Sequence, residues 1–232
     1  MPDSITKHNI RMFTKQVEEY KKYYHLTQGE KFIIDKYCYG KSSKRVAKKV
    51  LILGCGAGRT LLPLYEMGYS VTGIDITPKM VEAAKKKVKR LPINIFQMDA
   101  CDLKFADNTF DIVFFPANSM SCISPDIYTC VAEGKRVMKQ KGIFVFSTHS
   151  RFNLKALTRF FKGPYANYYG VFVYRSTPLD WWKMKKYFTK VITIPSSSIE
   201  VSWKDADYRD IVFKLLPFFD RTTYFICIGK HG

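Results

Sequence analysis

The feature that most constrains the fold of this chain is the segment Val50–Asp75, VLILGCGAGRTLLPLYEMGYSVTGID. A short apolar run stops at a glycine-rich turn, a helical pattern follows, and a second apolar run ends on an acidic residue. Such a turn leaves free backbone N–H groups at the start of a helix, and its glycines let a ligand lie directly on the backbone. The segment therefore predicts a β-α-β unit with a ligand at the glycine turn.

Strands and helices continue to alternate beyond this unit. Apolar runs at 93–98, 111–115 and 142–148 predict strands, and the patterns at 79–89 and 126–139 predict the helices between them. This alternation is typical of a parallel sheet covered on both faces by helices. The sequence therefore predicts an α/β fold with a doubly wound sheet.

The two ends of the chain differ from this regular middle. Residues 5–25 have the apolar spacing of an amphipathic helix, whereas 196–220 is too long for a simple connection and is expected to carry function or form a lid. A small extra sheet is expected from Val171–Tyr174 and Ile199–Trp203. The expected organisation is an N-terminal helical cap at 1–45, a core at 46–150 and a C-terminal part at 151–232, with lid or substrate insertions at about 151–178 and 196–220.

The formal net charge of +18 is the most unusual bulk property of the chain. A positive field favours anionic partners, such as RNA, an acidic membrane surface or phosphorylated small molecules. The alternative is that abundant lysines simply solvate the surface, because they are spread along the whole chain. Charge alone therefore names no substrate.

The cysteines and the hydropathy of the chain indicate its compartment. Six cysteines occur without a CxxC pair, and no Cys/His spacing suits zinc, so no metal is expected. No apolar run approaches the roughly 20 residues of a spanning helix, and the N-terminus lacks a signal-like apolar core. We expect a cytoplasmic protein with reduced thiols.

The glycine turn itself separates two classes of adenosine-binding protein. It reads GxGxG at Gly54, Gly56 and Gly58, and Arg59 stands where the dinucleotide-binding fingerprint has its third glycine or alanine. Asp75, at the tip of the second strand, is placed to accept hydrogen bonds from both hydroxyls of a ribose. The turn thus indicates a nucleoside cofactor, and Arg59 disfavours a dinucleotide.

The downstream run INIFQMDACDLKFADNTFDIVFF resembles the third and fourth motifs of class I S-adenosylmethionine-dependent methyltransferases, and AEGKRVMKQKGIFVFST resembles the helix and strand that follow them. The resemblance covers about residues 46–150 and is nearest to the broad type 11 group. It implies a Rossmann-like, doubly wound seven-stranded sheet, mostly parallel with an antiparallel last strand, plus a small lid lobe. It also implies cofactor contacts from Gly54, Cys55, Gly56, Gly58, Arg59, Asp75, Ile76, Met80, Asp99, Ala100, Cys101, Pro116 and Ala117, with Asp99 at the adenine amino group and the Ala100 N–H at the ring.

The acceptor is expected outside the carboxyl ends of the strands. His149 is a candidate general base and Asn118 a candidate hydrogen-bonding residue, although either side chain could have a purely structural role. The loop FPANSMS lacks the motif that holds adenine amines, and Cys122 lacks the Pro-Cys context of a cytosine-C5 nucleophile. Candidate acceptor contacts are Tyr23, Tyr24, Tyr165, Tyr168, Tyr169 and Arg151, where rings and cations are mixed.

Three functions follow from these patterns. The first is methyl transfer from S-adenosylmethionine to a small molecule, at nitrogen or oxygen rather than carbon. The second is RNA methylation through the basic surface. The third is a non-catalytic relative that only binds the cofactor, because Ile52 stands two residues before the first glycine, where most family members carry Asp or Glu.

Overall fold

The computed structural model describes residues 3–38, 47–124, 126–150, 170–196 and 222–230, together with the backbone of 165–168. Its helices are α1 (Ser4–Tyr20), α2 (Gln28–Ile33), α3 (Leu61–Glu66), α4 (Pro78–Lys87), α5 (Ile127–Val137) and α6 (Pro178–Met184). A π-helical turn at Ile34–Cys38 continues α2, and a 3₁₀ turn covers Ser119–Cys122. The strands are β1 (Lys49–Leu53), β2 (Ser70–Asp75), β3 (Asn94–Gln97), β4 (Phe110–Phe115), β5 (Met138–Ser150), β6 (Tyr165–Tyr168), β7 (Val171–Ser176), β8 (Phe188–Pro195) and β9 (Thr222–Lys230).

One sheet organises the described residues. Seven strands form the order β3-β2-β1-β4-β5-β9-β8, with parallel pairing from β3 to β5 and with β9 antiparallel to both β5 and β8. This confirms the predicted doubly wound, mostly parallel sheet with an antiparallel last strand. The β6–β7 hairpin extends it, because β7 pairs in parallel with the end of β5.

The apolar runs form these strands because both faces of the sheet are buried. In β1, Leu51 and Leu53 pack into one hydrophobic cluster, while Val50 and Ile52 pack into the cluster on the opposite face. Successive side chains of a strand point to opposite faces, so a continuous apolar run supplies both clusters. The carboxyl end of β1 is therefore fixed from two sides where the glycine turn begins.

Several expected boundaries differ in the structure. The helix expected at 5–25 ends at Tyr20, and a separate helix α2 begins after Thr27. The turn expected before Gly142 is instead part of β5, which starts at Met138 and pairs irregularly with β4 between Phe110 and Ile112. β7 pairs with β6 and with β5, whereas its expected partner at 199–203 lies outside the described residues.

The N-terminal helix α1 lies across the carboxyl edge of the sheet and is fixed to β7. The Asn9 side chain accepts a hydrogen bond from the Phe172 N–H at 2.9 Å and donates one to the Phe172 carbonyl at 2.9 Å. The amide thus pairs with β7 as a neighbouring strand would, and it holds α1 over the sheet edge.

No helix in the described part of the chain is long and apolar enough to cross a membrane. The domain boundaries stay a prediction.

Candidate functional site

A cavity of about 920 Å³ opens where the parallel strands end. Its floor is the glycine turn after β1 and the segments that follow β2, β3 and β4, and its other walls come from α1, β5 and β7. Of the residues expected to contact the cofactor, the cavity is lined by Gly54, Cys55, Gly56, Arg59, Asp75, Ile76, Met80, Asp99, Ala100, Cys101, Pro116 and Ala117. The sheet thus gathers these dispersed positions around one space.

The glycine turn needs its glycines for two different reasons. Gly54, Gly56 and Gly58 all have positive φ angles, of 62°, 54° and 87°, which side chains rarely adopt. A Cβ on Gly54 would lie 2.8 Å from the Phe115 ring, so that glycine permits packing against β4. A Cβ on Gly56 would meet no atom within 4 Å, although Gly56 lines the cavity. Gly56 therefore keeps ligand space open, whereas Gly58, which does not line the cavity, packs beside Ala84 of α4.

Asp75 organises the floor of the cavity. Its Oδ2 accepts a hydrogen bond from the Gly56 N–H at 2.9 Å, and its Oδ1 accepts one from the Thr77 N–H at 2.8 Å. Burial raises the pKa of this carboxyl above its ordinary value, and the two backbone N–H groups partly offset the increase. Each carboxylate oxygen has a second acceptor site. Asp75 can therefore fix the turn and still accept from a ligand at the cavity wall.

The segment after β3 forms a second acidic corner. The Cys101 N–H donates to Asp99 Oδ1 at 2.9 Å, which orients the carboxylate that lines the cavity. Ala100 lies beside it and is buried. On the floor, Met80 is also buried and packs with Ala57 and Val17. The corner combines a hydrogen-bond acceptor with apolar walls, which suits a flat heteroaromatic ring with an amino substituent.

An ion pair that the sequence patterns did not reveal fixes Arg59. Its guanidinium donates to both carboxylate oxygens of Glu30, at 2.7 and 2.6 Å, and to the His25 carbonyl at 2.7 Å. Glu30 is only 1% exposed and also accepts from the Ala117 N–H at 3.2 Å. One carboxylate on α2 thus connects the end of the glycine turn to the loop after β4. The Thr27–Glu30 capping box is recognisable from TQGE in the sequence, but its contact with Arg59 is not.

Asn118 and His149 line a further part of the cavity wall, Asn118 in the loop after β4 and His149 near the end of β5. Asn118 has a left-handed backbone at φ 57°, its N–H donates to Ser147 Oγ at 2.8 Å, and its amide donates to Thr222 Oγ1 at 3.1 Å. The Oδ1 of Asn118 is buried and has no partner among the described residues. His149 lines the cavity, and burial lowers the pKa of its imidazole below the ordinary value of 6.5. This wall therefore holds a fixed amide and an imidazole whose charged form is disfavoured.

The other residues expected to contact the acceptor differ in where the structure places them. Tyr23 lines the cavity and is 50% exposed, and its hydroxyl donates to Glu19 at 3.3 Å. Tyr24 lies outside the cavity lining, and the Lys87 ammonium covers its ring at 4.0 Å, so its acceptor contact stays a prediction. Tyr165 and Tyr168 are on β6, whose backbone alone is described. Tyr169 and Arg151 lie outside the described residues.

The wall near Asn118 also contains side chains that sequence reasoning missed. Ile10, Phe13, Ile123, Val171 and Val173 line it. They come from α1, from the loop after the 3₁₀ turn and from β7, so no local motif marks them. Together they make the acceptor side of the cavity largely apolar.

Comparison with known proteins identifies the core of this site. Residues 51–146 match the family of methyltransferase domains named Methyltransf_11. Residues 51–146 therefore carry a methyltransferase domain. The match spans β1 to β5 and so contains the glycine turn, Asp75, Asp99 and the loop after β4. This confirms the resemblance stated from the sequence motifs.

Curated relatives of this methyltransferase domain match it over a limited length. The Bacillus subtilis (strain 168) protein YqeM is 33% identical over 109 residues, which are 46% of this chain and 44% of YqeM. Phosphatidylethanolamine N-methyltransferase of Cereibacter sphaeroides is 36% identical over 105 residues, which are 44% of this chain and 50% of the enzyme. The chain thus spans about half the length of these two relatives.

A solved structure shows the same fold over a greater length. Geranyl diphosphate C-methyltransferase of Streptomyces coelicolor, in complex with S-adenosyl-L-homocysteine, superposes with a TM-score of 0.65. The superposition covers 99% of this chain and 98% of that one, at 11% identity. The methyltransferase fold therefore extends beyond the segment that the sequence comparisons match.

Proposed function

We propose that this protein transfers a methyl group from S-adenosylmethionine to a nitrogen or oxygen atom of a small molecule. The observation that carries the proposal is the floor of the cavity, where the Asp75 carboxylate faces the space that Gly56 leaves open. The methyltransferase family of residues 51–146 supports the choice of cofactor. When bound, S-adenosylmethionine supplies an electrophilic methyl group on a sulfonium.

The residues at the floor fit an adenosine. Asp75 has acceptor sites left for two ribose hydroxyls, because each of its oxygens accepts only one backbone N–H. Asp99 provides an acceptor for an adenine amino group, and Ile76 and Met80 provide apolar surface for the ring. In this proposal the glycine turn holds the cofactor against the backbone without steric conflict.

The Glu30–Arg59 ion pair has a positioning role at the cofactor site. It joins the glycine turn, α2 and the loop after β4, so three segments around the cavity keep one relative placement. Most family members rely on an acidic residue at the position of Ile52, which here is fully buried among apolar neighbours. Glu30 supplies a buried carboxylate to the same turn from a different element. This argues for a functional cofactor site rather than a degenerate one.

The opposite wall suits an acceptor with a proton to release. The His149 imidazole, whose charged form burial disfavours, can take up the proton as the heteroatom is methylated, and Asn118 supports the loop beside it. Cys122 is a poor rival nucleophile, because burial raises the pKa of its thiol to about 12. These groups favour nitrogen or oxygen over carbon as the methylated atom.

The apolar lining favours a small molecule over RNA. Ile10, Phe13, Val171 and Val173 enclose the space near His149 and would bury an apolar acceptor body. The Cereibacter sphaeroides relative is named as a phosphatidylethanolamine N-methyltransferase, and the acceptor in that name is the amine of a lipid rather than a nucleic acid. RNA methylation stays the rival that the net charge of +18 motivates.

The proposal is tested with S-adenosylmethionine labelled in its methyl group. The full chain is incubated with separate sets of small amines, small hydroxyl compounds, lipid extracts and total tRNA, and label is counted in each acceptor. We expect label in a small-molecule set for the natural chain and none for Asp75→Ala. Label confined to tRNA, or cofactor binding without label in any set, would contradict the proposed acceptor class.

A further inference from the structure

The helix α6 presents an apolar face to solvent. Leu179 is 68% exposed and Trp182 is 57% exposed, the highest values among the large hydrophobic side chains of the described residues. Residues three and four apart share one side of a helix, so Leu179, Trp182 and Lys183 lie on one side of α6, and the exposed Lys186 lies in the turn that follows the helix. We call these four residues the α6 face.

The opposite side of α6 is fixed to the protein. Asp180 and Met184 are buried, and the Asp180 carboxylate accepts hydrogen bonds from the hydroxyls of Tyr128 and Tyr174 and from the Thr177 N–H. These bonds anchor a helix of 7 residues that would be unstable alone. The α6 face is therefore displayed from a rigid base.

The exposed charges of residues 170–196 are all positive, and the exposed Asp126 at the start of α5 lies near Tyr128, whose ring Lys183 Nζ approaches to 4.7 Å. Lys183, Lys185, Lys186 and Lys190 are exposed, whereas Asp180 is the one acidic residue between 170 and 196 and is buried. The lysines lie beside aromatic rings, with Lys186 Nζ 4.9 Å from the Trp182 ring and Lys185 Nζ 3.7 Å from the Trp181 ring. Apolar tips with a rim of ammonium groups are thus combined in one small surface.

We propose that the α6 face docks reversibly on a bilayer that contains anionic lipids. Tryptophan partitions to the membrane interface, leucine inserts among acyl chains, and lysines attract acidic headgroups while their stems cover apolar surface. RNA is the less suitable partner, because Leu179 offers a nucleic acid neither stacking nor a hydrogen bond. The contact is peripheral and involves only side chains of this face and its lysine rim.

The helix α6 follows β7, a strand that contributes to the cavity wall. Val173 of β7 lines the cavity, and α6 begins at Pro178, two residues after β7 ends. β7 also pairs with the end of β5 at Ser150, next to His149. Docking at α6 would thus bring the acceptor wall near the membrane, where lipid-soluble molecules are concentrated.

The test is co-sedimentation of the full chain with vesicles of phosphatidylcholine, with and without phosphatidylglycerol as the anionic lipid. We expect binding only when the anionic lipid is present, and at least a tenfold loss in Leu179→Ser/Trp182→Ser and in Lys183→Gln/Lys185→Gln/Lys186→Gln. Added salt should weaken the binding, because it screens the lysines. Tryptophan emission should shift to shorter wavelength on vesicle addition, and less so in Trp182→Ser.

The matched controls lie elsewhere on the surface. Phe96, which is 43% exposed on the edge strand β3, is changed to Ser, and the exposed lysines 85, 86 and 89 are changed together to Gln. Both controls should bind vesicles nearly as well as the natural chain, and all variants should keep its thermal unfolding midpoint. Equal loss in the controls, no vesicle binding at all, or α6 substitutions that weaken only binding to single-stranded RNA would overturn the proposal.

Discussion

The proposed cofactor side and the proposed acceptor side of the cavity are built from parts of the chain that differ in their separation along the sequence. The proposed cofactor side uses the ends of successive strands of one parallel sheet: Gly56 lies three residues after β1, Asp75 is the last residue of β2, and Asp99 lies two residues after β3. The acceptor side combines α1 with β7, which meet through Asn9 and Phe172, 163 residues apart. Local sequence motifs therefore predict the cofactor side, whereas the acceptor side is formed only by tertiary contacts between distant segments.

The largest expected effect is on the cofactor side, from Asp75→Ala. Loss of the carboxylate removes the ribose acceptor and also the acceptor of the Gly56 and Thr77 N–H groups. We expect affinity for S-adenosylmethionine to fall at least about 100-fold, with a loss of stability of roughly 1–3 kcal/mol because backbone donors lose their partner. Calorimetric titration and thermal unfolding measure the two effects. Asp102→Ala, at an exposed carboxylate paired with Lys104, should change neither.

The next largest effect is expected on kcat, from a change of His149 on the proposed acceptor side. His149→Gln should lower kcat by about 10²–10⁴, as expected for loss of a general base, while cofactor affinity stays unchanged. The natural chain should lose activity as the pH falls through the pKa of His149, which burial places below 6.5. Above neutral pH the imidazole is neutral, so its ionisation should no longer affect the activity. His8→Gln, on α1 outside the cavity, is the control. An unchanged kcat would remove His149 from the chemistry.

A smaller effect is expected at the ion pair that connects the segments. Glu30→Gln leaves the Arg59 guanidinium, which is 18% exposed, without its charged partner and should destabilise the fold by up to about 3 kcal/mol. Cofactor affinity should also fall about tenfold, because the turn and the loop after β4 lose their common anchor. Glu82→Gln breaks the exposed pair with Lys86 and should leave the thermal unfolding midpoint nearly unchanged. A stability loss without weaker cofactor binding would limit Glu30 to a structural role.

The smallest effect is expected where α1 meets β7. Asn9→Ala removes two hydrogen bonds to Phe172 and should cost about 1–2 kcal/mol of stability. We expect KM for the acceptor to rise severalfold while affinity for S-adenosylmethionine is retained, because Asn9 supports only the acceptor wall. Thr14→Ala, which loses a hydrogen bond within α1 alone, is the matched control.

The same contrast explains how much the sequence could predict. Apolar runs that supply both faces of a sheet predict strands well, so β1, β2 and β4 fall within one residue of their expected bounds. All the cofactor candidates except Gly58 line one cavity because parallel strands share a carboxyl edge, although their roles stay predictions. Glu30 was missed, since its partner Arg59 is 29 residues away and no local pattern connects them. Tyr24, which follows the end of helix α1, lies outside the cavity lining, whereas its neighbour Tyr23 belongs to it.

Calorimetric titration of the full chain with S-adenosylmethionine tests the central claim most directly. The geometry around Gly56 and Asp75 predicts saturable binding of one cofactor per chain, lost in Asp75→Ala and kept in Asp102→Ala. No heat of binding from a chain that unfolds cooperatively, or equal binding by Asp75→Ala, would contradict the claim that this cavity is a cofactor site.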